Sequence, residues 1–79
     1  MKLIKAFSLR LKEILEERKM TQYKLSQITG VPESTISTIL KAEIKTVKLS
    51  TIYDICAGLN IEFADFFNYE NLKLSNLED

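Results

Sequence analysis

The chain has one proline and only two glycines, and the proline and one glycine fall two residues apart, in Gly30-Val31-Pro32. Glycine closes a helix by taking φ > 0 without a Cβ clash, and proline suits the start of the next, where no N–H donor is needed. The triplet therefore reads as a joint between two short helices. The surrounding stretch, "TQYKLSQITGVPESTISTIL" over residues 21–40, fits that reading. Thr21 is a good N-cap. Leu25 and Ile28 give the first run its apolar positions, and Ser26 is small where another helix can approach. Val31 reads as a buried plug between the two helices. Glu33 falls in the first turn of the second run, at the positive end of its dipole. Ile36, Ile39 and Leu40 then recur at helical spacing. Ser34, Thr35, Ser37 and Thr38 take the rest of the circumference. So many hydroxyls make a poor intrinsic helix former, and this segment must be held by its packing.

The remaining segments carry helical signals too. Residues 5–19, "KAFSLRLKEILEERK", have apolar positions at 7, 11, 14 and 15. Arg18 and Lys19 place positive charge in what the spacing predicts as the last turn. "KAEIKTVK", residues 41–48, reads as a linker with three lysines. "LSTIYDICAGLN" puts Leu49, Ile52, Ile55, Cys56 and Leu59 on one side of a fourth helix, with Gly58 near its end. "IEFADFF" supplies one or two further turns, in which Phe63, Phe66 and Phe67 are expected as core plus one exposed ring. An exposed ring beside Tyr69 and Leu72 would make a dimer patch. "NYENLKLSNLED" has leucines but weak caps. The expectation is an all-α, five-helix domain over residues 1–69, followed by a tail at 70–79, packed or disordered.

Composition removes other classes. Seventy-nine residues support one domain with a small core, and 46% hydrophobic with 28% charged residues is a globular balance. One cysteine and no histidine leave no intrachain disulfide and no zinc-ligand cluster. The acidic residues lack metal-loop spacing. Cys56 has no neighbouring base and reads as a core thiol. With no glycine-rich phosphate loop and no nucleophile–base set, neither an enzyme, a cofactor nor a small-molecule ligand is expected. The basic, apolar opening "MKLIKAFSLRLKEI" is broken by charges throughout and has no h-region, so a signal peptide is not expected. No stretch approaches the roughly 20 apolar residues that span a bilayer, and a cytoplasmic protein is expected.

The formal net charge of zero hides an asymmetry. Residues 1–48 carry eight lysines and two arginines against five glutamates, a net of +5, whereas residues 49–79 carry one lysine against three aspartates and three glutamates, a net of −5. Such a split is a pointer to a polyanion-binding face, set against clustering on a solvated surface.

The run "TQYKLSQITGVPESTISTIL" resembles the helix-turn-helix of the Cro/cI-like, XRE-type bacterial and phage regulators. Thr-Gln opens its second helix, Leu25 precedes small Ser26, "GV" makes the turn, and "STIS" lies on the third helix. "LSTIYDICAGLN" and "IEFADFF" resemble that family's fourth and fifth helices. The resemblance covers roughly residues 9 to 67. It implies a lambda-repressor-like DNA-binding domain whose third helix, about residues 33–40, lies in the major groove. Carried over by position, the base-reading residues are Glu33, Ser34 and Thr38, with Ser37 beside them. The phosphate-contacting residues are Thr21, Gln22, Thr35, Lys41, Lys45 and Lys48. Hydroxyls donate to or accept from base edges, and loop lysines supply salt-dependent affinity. Glu33 either accepts from a cytosine amino group or simply favours the helix dipole. Tyr23 either touches backbone through its hydroxyl or packs half-exposed.

Three departures from the family pattern stand out. A usual arginine–glutamate pair is Leu15 and Leu40, which reads as an apolar contact in its place. The usual glycine after the third helix is Ala42 and the usual proline before the fourth is Val47, which predicts a different loop path around Lys45. Lys48 stands where a Ser or Thr cap is common. The resemblance implies a sequence-specific transcriptional regulator of double-stranded DNA. Repression by promoter occlusion is expected, and the sequence leaves activation open. One such domain buries too little surface for tight binding, so a homodimer on a palindromic operator is expected. The competing reading is a protein-interaction module, antitoxin-like or an adaptor, that keeps the fold with little DNA binding. The outer face of the third helix has no Arg, Lys, Gln or Asn, and that favours the module.

Overall fold

The computed structural model describes residues 1–79. Five α-helices follow one another: α1 (Leu3–Glu17), α2 (Gln22–Thr29), α3 (Glu33–Leu40), α4 (Leu49–Leu59) and α5 (Phe63–Phe67). Two single 3₁₀ turns, Glu70–Leu72 and Leu74–Asn76, complete the chain, and the first packs against α1. The expected all-α, five-helix architecture is what the chain adopts. No helix is long and apolar enough to cross a membrane.

The helical spacing of α1 buries Phe7, Leu11, Ile14 and Leu15. These join Leu25, Val31, Ile36, Ile39, Leu40, Ile55, Cys56, Leu59 and Phe66 in one apolar cluster. Leu15 and Leu40 are 7% and 8% exposed, so both positions of the family's ion pair belong to the apolar core. Cys56 is buried and its thiol pKa is raised by that burial, which leaves it a core side chain. α2 lies against both α3 and α4. The approach to α4 is close: a Cβ at Gly58 would come within 2.6 Å of Thr29 Cγ2.

α1 ends earlier than the spacing predicts, and Arg18 and Lys19 lie beyond its last turn. The reason is a left-handed closure. Lys19 takes φ 52°, Met20 N donates to Leu15 O at 2.9 Å and Lys19 N to Glu16 O at 3.1 Å, which is the Schellman pattern. The same closure recurs after α3 with Ala42 at φ 55°, and after α4 with Asn60 at φ 54°. Glu43 N donates to Thr38 O and Ile61 N to Cys56 O, each at 3.0 Å. Gly30, at φ 77°, closes α2. Ala42 therefore keeps the left-handed turn that a glycine would make, despite the cost of its Cβ.

Two burial expectations fail. Leu49 is 74% exposed, because α4 begins there, beyond the reach of α2 and α1. Phe66 is fully buried, but Phe63 and Phe67 remain 43% and 39% exposed, so α5 presents two rings rather than one. Its five residues are too few to wrap a second face against the core.

Both arginines brace helix ends. Arg10 Nε donates to Phe66 O and Nη2 to Asp65 O, each at 2.7 Å, while Nη1 pairs with Glu13 at 2.7 Å. Its guanidinium also lies 5.4 Å from the Tyr69 ring centre. Arg18 donates to Leu59 O at the end of α4. A rigid fork on terminal carbonyls satisfies acceptors that the helix leaves open.

Arg10→Lys is expected to lower stability by about 2 kcal/mol, because a lysine cannot serve both carbonyls and the carboxylate together. Ala42→Gly is expected to raise stability by about 0.5–1 kcal/mol, the relief of left-handed strain exceeding the added chain entropy. Urea unfolding followed by circular dichroism measures both.

Candidate nucleic-acid interface

The joint between α2 and α3 fixes how α3 is presented. Thr29 Oγ1 donates to Leu25 O at 2.7 Å and accepts from Val31 N at 3.1 Å. Ser26 Oγ donates to Val31 O at 2.7 Å, so this small residue also ties the turn. Val31, 4% exposed, is the buried plug that the sequence predicts. Pro32 occupies the N-cap of α3 with φ −56° and ψ 141°, and no side chain caps that end.

α3 buries Ile36, Ile39 and Leu40. By helical geometry Ser34, Ser37, Thr38 and Lys41 fall opposite them. Ser34 and Glu33 are exposed, and Ser37 and Thr38 are half-buried. Thr38 Oγ1 donates to Thr35 O at 2.8 Å, which leaves the oxygen as an acceptor toward the outside. Thr35 and Thr38 line a groove of about 460 Å³ between α3 and the start of α4, together with Thr46, Lys48 and Thr51. Asp54 is at its edge, a carboxylate on an otherwise neutral-to-basic wall.

Thr21 and Gln22 are exposed at the start of α2. Thr21 caps the helix, its hydroxyl oxygen accepting from Lys24 N at 3.1 Å, so its proton stays available to an outside acceptor. Tyr23 is 61% exposed and its hydroxyl accepts from Gln27 Nε2 at 2.9 Å.

Lys41, Lys45 and Lys48 are all exposed. Lys48 is the N-cap residue of α4 and makes no side-chain cap bond. Lys45 lies on the other side of the linker, in a groove it shares with Lys2, Ile4, Glu43 and Asp79. The structure thus brings Thr35, Thr38 and Lys48 together and sets Lys45 toward the start of α1. None of the ten candidate residues belongs to the core. Sequence reasoning missed the tie between α1 and α3: Ser8 is fully buried and its Oγ donates to Leu40 O at 2.7 Å. A serine within an apolar stripe was the available signal.

No three His, Cys, Asp or Glu side chains converge at the site. What it offers is an exposed helix face of short hydroxyls, flanked by capped backbone and lysines. Such a face suits polyanion docking and groove contacts.

No curated protein sequence matches the chain. Among solved structures, the restriction-modification controller protein C.Esp1396I is similar over 85% of this chain and 86% of its own, with a TM-score of 0.77 and 25% identity. A single-substitution variant of that controller gives the same coverage and TM-score at 26% identity. An HTH_3 family transcriptional regulator from Vibrio cholerae is similar over 82% of this chain, again with a TM-score of 0.77 and 25% identity, and the match spans 36% of that longer protein. Residues 10–71 match the Cro/C1-type HTH DNA-binding domain, which takes in most of the chain and both helices of the joint. The chain belongs to the Cro/C1-type helix-turn-helix DNA-binding domain family.

Proposed function

We propose that the chain is a sequence-specific transcriptional repressor whose α3 reads the major groove of a palindromic operator. The observation that carries this reading is the outward face of α3, held by buried hydrogen bonds and flanked by lysines that make no ion pair. In this reading Glu33, Ser34, Ser37 and Thr38 meet base edges, while Thr21, Gln22, Thr35, Lys41, Lys45 and Lys48 meet phosphates. Residues 1–69 act as the DNA-binding unit and residues 70–79 as its tail. Repression follows from occupying a promoter, without catalysis, in the cytoplasm of a bacterial or phage-infected cell.

Short hydroxyls discriminate bases less sharply than Arg or Gln, and one such domain makes few base contacts, so two copies on one operator are part of the proposal. The face that supports pairing lies on α4 and α5. Leu49, Tyr53 and Phe63 are 74%, 61% and 43% exposed, and Tyr53 and Phe63 border a shallow groove of about 340 Å³ with Ala57 and Ala64. Exposed apolar side chains in this number on a small domain are characteristic of an association surface.

One observation favours the second reading, a protein-interaction module. α3 carries no Arg, Lys, Gln or Asn within its helical span, and Glu33 stands at its start. Selection from randomised duplexes at low salt separates the two. The expected result is a palindromic motif, lost when Ser34 and Thr38 are both changed to Ala. Weak, sequence-blind retention by both proteins would favour the module. Tyr53→Glu is expected to shift the protein toward monomer in sedimentation and to weaken operator binding by 10-fold or more, roughly the effect of removing one large apolar side chain from an interface. It should leave the folded monomer's helicity unchanged.

A further inference from the structure

We propose that Lys5 and Lys12 of α1 form a second strip of phosphate contacts, which extends the DNA footprint past the C-terminal end of α3. The proposal rests on the DNA-binding reading and adds a part of the surface that lies outside the helix-turn-helix.

The geometry starts from Ser8. Its Oγ bonds Leu40 O at the end of α3, and the residue is fully buried. This pins one face of α1 beside the last turn of α3. Lys5 stands three residues before Ser8 and Lys12 four residues after it, so both are neighbours of Ser8 on the helix surface. Lys5 is exposed and Lys12 half-exposed, as expected of lysines whose stems lie on the protein and whose ammonium groups reach out. Lys41 follows Leu40 directly, so the strip continues the cations of the α3 end. Glu16, one turn beyond Lys12, ends it.

The ion pairs of the molecule sharpen the choice. Arg10 pairs with Glu13 and Lys73 with Glu70, while Lys5 and Lys12 pair with nothing. Both arginines are bound to helix-end carbonyls of α4 and α5. Lys2 and Lys45 share their groove with Glu43 and Asp79, which offsets their charge. Lys5 and Lys12 thus join Lys41 as cations without an ion pair next to the end of α3. A phosphate backbone tracking along the axis of α3 meets them after its C-terminus, and each phosphate they neutralise releases counterions.

A structural role predicts something else. Lysines beside the C-terminus of α3 also favour its negative dipole end. The experiment separates the two. Binding of a synthetic duplex carrying the selected motif is measured against salt for the full chain, for Lys5→Gln/Lys12→Gln and for Lys5→Arg/Lys12→Arg, with melting temperatures in parallel. The expected result is a log–log salt slope shallower by roughly one to two in the glutamine variant, about 0.9 for each phosphate no longer neutralised. The base preference should be unchanged and the arginine variant should regain the slope. A glutamine variant with the parental slope overturns the proposal, whether its melting temperature falls or holds. If the parent protein itself shows no salt-dependent binding to any duplex, the DNA-binding reading fails first, and that outcome is distinct from a parent that binds with an unaltered slope in the variant.

Discussion

Everything on the presented face depends on the angle between α2 and α3, and three short side chains set that angle. Thr29 bridges Leu25 O and Val31 N, Ser26 holds Val31 O, and Val31 fills the space between the helices. Gly30 lets the chain reverse in the left-handed region without a Cβ penalty. α3 has only eight residues and a hydroxyl-rich sequence, so it has little helical tendency of its own. Its order is borrowed from this joint on one end and from Ser8 on the other. The joint thus positions a face of short hydroxyls, which cannot reach out to correct a misplaced helix.

The cations of the molecule divide by chemistry. Arg10 and Arg18 turn inward, where planar donors in a fixed fork satisfy several terminal carbonyls. The lysines of α1 and of the linker that follows α3 stay at the surface, where a compact, strongly hydrated charge is best placed to exchange counterions. The +5 of the first 48 residues is therefore not one feature but two. Only the lysine share of it is presented to a partner.

Legibility followed locality. The α2–α3 joint was readable because Gly30 and Pro32 announce it, and the faces of α3 followed from Ile36, Ile39 and Leu40. The closures at Lys19 and Ala42 were not readable, because neither residue type favours φ > 0 and only the surrounding packing enforces it. At Ala42 the backbone makes the left-handed turn and absorbs the strain. Helical period assigned Leu49 and Phe67 to apolar faces correctly. It could not tell that the first turn of α4 projects past its neighbours, or that Phe67 is only partly covered by Phe7 of α1. The candidate residues were named from pattern. Which lysines remain unpaired, and which arginines are bound to carbonyls, required the tertiary placement of α4 and α5.

The two leucines at positions 15 and 40 leave an interior in which the only buried polar side chain is the serine on α1. The apolar cluster itself therefore holds no ionised group. The scaffold answers to temperature and denaturant, while the lysine surface answers to ionic strength. Ionic strength therefore grades what the surface holds and, within the frame, bears on the partly buried Arg10–Glu13 pair rather than on the apolar cluster.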